Sequence, residues 1–150
     1  MPSNAHNAYL ESRILSASPT ELIRLLYQAA ISEVREARCH LQTKDIRGRS
    51  KSISKAHAIL AELTIVLDHK RGGKIAERLA QLYDYMMRRI TEANFKQTDE
   101  PLAETLGLLS TLLEGWEGVV QQTKPAKPSG NIWAQSATQD ALGTSQAWSF

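Results

Sequence analysis

The chain has 150 residues, of which 42% are hydrophobic and 23% are charged, as in an ordinary globular domain. Its net charge of +2 is too small to indicate a nucleic-acid partner. No stretch approaches the roughly 20 apolar residues that span a bilayer, so we expect no membrane insertion. The single cysteine, Cys39, excludes a disulfide within the chain, and the N-terminus lacks the basic and apolar regions of a secretory signal. We therefore expect a cytoplasmic protein.

The charges are distributed unevenly along the chain. Residues 44–55 carry five basic side chains against Asp45 alone, and residues 99–117 carry five acidic side chains and no basic one. Two interpretations stay open at this stage. The charged segments are either solvated helix faces that help to orient their neighbours, or an electrostatic docking surface.

A helix start is encoded at residues 18–21. Ser18 is suited to cap the first turn, Pro19 fits the first helical position, and Glu21 completes a capping box with Ser18. The apolar spacing that follows predicts a helix to about Gln42. Residues 1–17 are then a separate N-terminal arm.

Three further helices are predicted from the apolar spacing, at about 45–70, 74–96 and 99–123, with Gly72-Gly73 ending the first of these three. Short connections force consecutive helices to be antiparallel neighbours. We expect an all-α fold, an antiparallel up-down four-helix bundle over residues 18–123. The predicted inward stripes of its second, third and fourth helices are Ile53, Ala56, Leu60, Leu63 and Leu67; Ile75, Leu79, Leu82, Met86, Ile90 and Ala93; and Leu102, Leu106, Leu109, Leu113, Trp116 and Val120.

Residues 124–150 differ in composition from the rest of the chain. They begin with a Lys- and Pro-rich linker and continue as a segment rich in Ala, Gln, Ser and Thr. Such a composition is typical of a flexible, low-complexity tail. The tail nevertheless contains Trp133, Trp148 and Phe150, which could dock on an apolar groove of the bundle.

Catalytic and metal-binding patterns find little support. The four histidines show no metal-ligand spacing, and no Glu-x-x-His pair of the kind that holds metals inside helix bundles is present. The serines lack the sequence of a nucleophile elbow. We therefore expect neither an enzyme nor a bound cofactor or metal.

Apolar residues outside the inward stripes are more informative about function than the catalytic and metal-binding patterns. Leu108, Leu112 and Val119 lie about 100° around the axis from the inward stripe of the last helix, and Ile59 and Val66 flank the stripe of the second. The third helix adds Tyr83, Tyr85 and Met87 outside its inner row. Exposed apolar grooves usually mark a partner site, often for an amphipathic helix. The apolar side chains of the arm could cover this groove when the partner is absent; they are Tyr9, Leu10, Ile14 and Leu15.

Two separated motifs carry a resemblance to a known family. The first is Ala8-Tyr9 followed by LSASPTELI at residues 15–23 and Leu26-Tyr27, and the second is LYDYMMRR at residues 82–89 followed by Glu92-Ala93-Asn94. Over about residues 8–120 the chain resembles the FliS family of flagellar export chaperones, and Trp116 lies where that family usually has a tryptophan. One departure is Gln28-Ala29, where many members have Asp-Gly or Asn-Gly.

The resemblance implies a cytoplasmic, non-enzymatic chaperone. Its partner would be the C-terminal segment of flagellin, which is disordered in the monomer, and binding would prevent premature polymerisation and support delivery to the flagellar type III export apparatus. The export gate would then meet the chain as a chaperone–flagellin complex, and a weak homodimer stays open. The residues expected at the partner-binding site are Tyr9, Ile14, Ile59, Val66, Leu108, Leu112 and Val119. A regulatory adaptor for an anti-sigma factor or a translational regulator is the alternative.

Overall fold

The computed structural model describes residues 2–16 and 18–123, with the side chains of residues 5–12 and 18–122. All secondary structure in these ranges is helical. The helices are α1 (Pro2–Ser16), α2 (Pro19–Gln42), α3 (Ile46–Ile65), α4 (His69–Lys96) and α5 (Glu100–Thr123). The expected tail, with Trp133, Trp148 and Phe150, lies outside the described residues.

The start of α2 has the predicted N-cap at Ser18. Ser18 is in an extended conformation, and its hydroxyl accepts a hydrogen bond from the backbone N–H of Glu21 at 3.2 Å. Glu21 also receives two hydrogen bonds from Arg24, at 3.1 and 2.6 Å. The predicted bounds of this helix, Pro19 to Gln42, are confirmed.

The junction between α3 and α4 differs from the prediction. α3 ends at Ile65, and α4 begins at His69 because the Asp68 side chain accepts a hydrogen bond from the backbone N–H of Arg71. The predicted end of the earlier helix near Lys70 is therefore wrong. The predicted break at Gly72-Gly73 is present as a kink at Gly73, with φ 50° and ψ −121°, a conformation that is strained for any residue with a side chain.

The described backbone divides into two units, the first ending at Glu114 and the second beginning at Gly115. The apolar core of the first unit is built from α2, α3, α4 and the first half of α5. Its largest fully buried apolar side chains are Val34, Leu60, Leu63, Tyr83, Met86, Ile90, Leu102 and Leu109. The described part of the second unit is the end of α5, where Trp116 is half-buried and Val119 is 53% exposed.

The core confirms the predicted stripes in part. Ile53, Ala56, Leu60 and Leu63 are buried on α3, as expected, and Ile65 points away from them. On α4, Ile75 was expected to face inward but is 69% exposed, whereas Ala76 is buried, two turns before the buried Tyr83 on the same face. Tyr83 was expected outside the inner row, which is wrong: it is only 2% exposed.

Polar contacts join the helices at defined places. Arg38, near the end of α2, donates two hydrogen bonds of 2.8 Å to Asp99, which immediately precedes α5. Arg49, in the first turn of α3, donates to the side-chain and backbone oxygens of Asn94 in the last turns of α4, at 2.8 and 3.3 Å. These contacts bring the end of α2 to the start of α5, and the start of α3 to the end of α4.

Candidate functional site

The candidate residues lie on three helices. Ile59 and Val66 are two turns apart on one face of α3, where both are half-buried, and Val66 is the C-terminal cap of that helix. Leu108 and Leu112 are one turn apart on one face of α5, and both are half-buried. Each pair therefore shares a face, beside a row of fully buried neighbours.

The other three candidates are Tyr9, Val119 and Ile14. Tyr9 on α1 is 59% exposed, so its ring is largely uncovered in this structure. Val119 lies in the second unit and is 53% exposed. Ile14 belongs to α1, but its side chain lies outside the described residues, so its expected role stays a prediction.

An ion-pair cluster positions α5 against α4. The Arg89 guanidinium lies 2.7 Å from Glu104, 2.9 Å from Glu92 and 3.5 Å from Glu100. Tyr85 donates a hydrogen bond of 2.7 Å to the other oxygen of Glu104. We call Tyr85, Arg89, Glu92, Glu100 and Glu104 the Arg89 cluster. Because Glu104 is one turn before Leu108 on α5, the cluster sets the rotation of the face that carries Leu108 and Leu112.

The electrostatics of the cluster follow from these hydrogen bonds. The Tyr85 hydroxyl and the Arg89 guanidinium hold the pKa of Glu104 below its usual value. Lys96 and Arg89 do the same for the pKa of Glu92, and Glu104 in turn raises the pKa of the Tyr85 hydroxyl. At neutral pH the carboxylates are therefore ionised and hold Arg89 in place.

The inner face of α5 is apolar apart from one residue. Leu102 and Leu109 are fully buried, as is Thr105 between them. The Thr105 hydroxyl oxygen has no hydrogen-bond partner among the described residues. The α5 helix thus presents a buried inner face and, at its edge, a half-buried pair of leucines.

Several exposed apolar side chains were not singled out from the sequence. Phe95, at the end of α4, is 84% exposed, and Ile46, at the start of α3, is 58% exposed. Phe95 does not fit the spacing of the inward stripe that contains Ile90 and Ala93. This mismatch could have identified Phe95 as an exposed residue. These residues add apolar surface at the end of the fold where Arg49 meets Asn94.

Neither a metal site nor a membrane-spanning helix is found among the described residues. Within the described residues no group of three or more His, Cys, Asp or Glu side chains is placed to hold a metal ion. None of the helices described combines the length and the hydropathy that crossing a membrane requires.

Comparison with known proteins identifies relatives along most of the chain. Residues 2–123 match the family model described as flagellar protein FliS. A flagellar secretion chaperone FliS of Salmonella typhimurium is 39% identical over 111 residues, which span 73% of this chain and 82% of that protein. The chaperone FliSB of Pseudomonas aeruginosa is 34% identical over 110 residues, covering 73% and 87%. FliS of Bacillus subtilis is 29% identical over 130 residues, covering 86% and 96%.

Proposed function

Because the chain belongs to the FliS family of flagellar secretion chaperones, we propose that it binds the C-terminal segment of flagellin in the cytoplasm and keeps it from polymerising before export. The observation that carries the proposal is the family match over residues 2–123. In this proposal the chain has no catalytic role, and it delivers flagellin to the type III export apparatus as a complex. The relatives are named for secretion, and flagellin is the subunit that the resemblance of the two sequence motifs implies.

The proposed architecture is an antiparallel four-helix bundle formed by α2 to α5. The contact of Arg38 with Asp99 and that of Arg49 with Asn94 support this arrangement, since each joins the end of one helix to the start of another. The Arg89 cluster adds contacts that run in opposite directions along α4 and α5, because Arg89 reaches Glu100 and Glu104 while the earlier Tyr85 reaches Glu104. A bundle of this kind offers long grooves between neighbouring helices.

The proposed binding surface consists of Tyr9, Ile14, Ile59, Val66, Leu108, Leu112 and Val119. Half-buried aliphatic pairs suit this role because a partner helix can cover them without first unfolding the core. Ile59 and Val66 are spaced by two turns and Leu108 and Leu112 by one, a spacing that matches the apolar face of an amphipathic helix. A disordered segment that folds on such a surface gains apolar contacts and loses its freedom to assemble.

The direct test is a titration of the purified chain with the C-terminal segment of the flagellin from the same genome. We expect saturable binding with one-to-one stoichiometry and a gain of helical circular dichroism, because the segment orders on the chaperone. Binding of the N-terminal segment of the same flagellin serves as a control and should be weaker. A C-terminal segment that shows no binding, together with tight binding of an anti-sigma factor, would replace this proposal by the regulatory adaptor.

A further inference from the structure

The exposed face of α3 carries a line of cations. Arg47, Lys51 and Lys55 follow one another at one-turn spacing, so they form a row on one side of the helix, with a rise of about 6 Å between neighbours. All three are exposed. We call Arg47, Lys51 and Lys55 the basic row.

The basic row has no local counter-charge. None of the ion pairs formed within residues 18–122 includes a member of the row. Asp45 is the one acidic residue nearby in sequence, and it is already engaged. One of its oxygens accepts from the Gly48 backbone N–H at 2.9 Å, and the other lies 3.2 Å from a ring nitrogen of His40.

The position of the row is unfavourable for the helix that carries it. Like charges four residues apart repel each other on a helix surface. Arg47 also lies in the first turn of α3, which has no acidic residue, and a cation near a helix N-terminus opposes the helix dipole. Local helix stability therefore does not account for three cations at this place.

We propose that the basic row docks an acidic helical segment of a partner protein, with carboxylates spaced one turn apart. The rise of about 6 Å over four residues is the same on both helices, so three carboxylates can face three cations in register. Glu62, exposed two turns beyond Lys55 on the same face, would repel a fourth carboxylate and so fixes where the partner ends. The proposal does not depend on flagellin binding.

Other anions fit this face less well. A lipid surface calls for an exposed apolar face beside the cations, and the apolar stripe of α3, from Ile53 to Leu63, is buried in the core. Single-stranded nucleic acid is usually held by aromatic side chains on which bases stack, and α3 contains no Phe, Trp or Tyr. An acidic protein segment is therefore the partner that the surroundings of the row favour.

The test compares two triple variants of the full chain. R47Q/K51Q/K55Q neutralises the basic row, and K70Q/K74Q/R78Q removes the same charge at the same sequence spacing on α4. The control residues lie on both sides of the kink at Gly73, and Glu77 is next to Arg78. They therefore do not form an uninterrupted line of cations. The probe is a fluorescent alanine-based helical peptide with Glu at every fourth position over three turns, and a second peptide has Gln at those positions.

We expect the unmodified chain to bind the Glu peptide, and to bind the Gln peptide at least about tenfold more weakly. Neutralising the row should weaken binding of the Glu peptide by at least about tenfold and leave the melting temperature unchanged or higher, while the control variant should bind within about twofold of the unmodified chain. Equal losses in both variants, or no loss in either, would overturn the proposal. Tighter binding of a single-stranded RNA oligonucleotide or of phosphatidylserine vesicles, lost in the same variant, would overturn it too.

A charge swap decides the question even if the triple variant unfolds. Lys51→Glu should lose affinity for the Glu peptide and gain affinity for a peptide with Lys at the central position. This reciprocal change follows only if Lys51 meets the partner side chain directly. A Lys51→Glu chain that binds both peptides as the unmodified chain does would contradict the docking geometry.

Discussion

The phenol oxygens of Tyr27 on α2 and Tyr83 on α4 lie 2.5 Å apart in the core, where the two residues are only 3% and 2% exposed. Their rings meet edge to face, with centroids 6.4 Å apart and an interplanar angle of 60°. Burial and the bond to Tyr27 raise the pKa of the Tyr83 hydroxyl. One hydroxyl therefore donates a hydrogen bond to the other, and this bond joins two helices that are distant in sequence.

Removing one of these hydroxyls should cost more than removing both. Tyr83→Phe leaves the Tyr27 hydroxyl buried without its partner, which we expect to lower the free energy of unfolding by about 1–3 kcal/mol. The double variant Tyr27→Phe/Tyr83→Phe should recover part of that loss, because no buried polar group then lacks a partner. The coupling is measured by urea unfolding of the unmodified chain, the single variants Tyr27→Phe and Tyr83→Phe, and the double variant. Strictly additive losses would contradict it.

The candidate groove is tested at Leu112. Leu112→Asp places a charge on the half-buried edge of α5, and we expect it to weaken flagellin binding more than tenfold, or about 1.4 kcal/mol. Ser110→Asp is the matched control, since it adds the same charge at an exposed position on another side of the same helix. Helical content should be unchanged in both chains. A Leu112→Asp chain that unfolds would place Leu112 in the core instead.

The Arg89 cluster predicts a specific response to acid. The pKa of Glu104 is lowered in the folded protein, so its stabilising effect is present above the usual carboxyl pKa and is lost as the pH falls through the folded value. The stability difference between the unmodified chain and Glu104→Gln should therefore be constant above about pH 5.5 and shrink as the pH falls below the usual carboxyl pKa. A stability difference that stays the same as the pH falls would contradict the role of Glu104 in the cluster.

Two glycine substitutions should change stability in opposite directions. Gly73 has φ 50°, so Gly73→Ala forces a side chain into a strained conformation and should destabilise the protein by about 1–3 kcal/mol. Gly107 lies inside α5, and a Cβ there meets nothing within 4 Å. Gly107→Ala should therefore stabilise the protein by about 0.5–1 kcal/mol, because alanine favours the helix. Thermal unfolding that ranks the two variants in the reverse order would contradict the kink.

The buried hydroxyl of Thr105 predicts a stabilising change. Its oxygen has no hydrogen-bond partner among the described residues, so the protein carries the cost of removing it from water without compensation. Thr105→Val keeps the shape of the side chain and removes the hydroxyl, and we expect a gain of about 1–2 kcal/mol. Thr111→Val, at an exposed position of the same helix, should change stability little. A loss of stability in Thr105→Val would indicate a bond to that hydroxyl.

The start of a helix can be predicted from the sequence where the residues that cap it lie within one turn. The Ser18 cap acts within one turn, so the bounds of α2 follow from neighbouring residues. The pattern that predicts the second helix to about Lys70 leaves out Asp68, which caps a new turn at His69 before the kink at Gly73. Asp68 as an N-cap was the signal that could have corrected the prediction.

Tyr83 shows why the burial of some residues cannot be predicted from the sequence. Its own helix places it beside the inner row, and its burial depends on a hydroxyl partner 56 residues earlier. The candidate site has the same limit. Sequence spacing identified Leu108 and Leu112 as edge residues, and their half-buried state agrees with it. The rotation of α5 that presents them depends on Arg89 and Arg38, which act from other helices.

The bond between Arg49 and Asn94 has a consequence for local opening of the fold. The Arg49 guanidinium is buried and is held by neutral oxygens at the negative end of the α4 dipole. If α3 frays from its first turn, the last carbonyls of α4 lose this donor and a buried cation loses its acceptors. Backbone amides at these two helix ends should therefore exchange with solvent as one cooperative unit, although they are 45 residues apart in the chain.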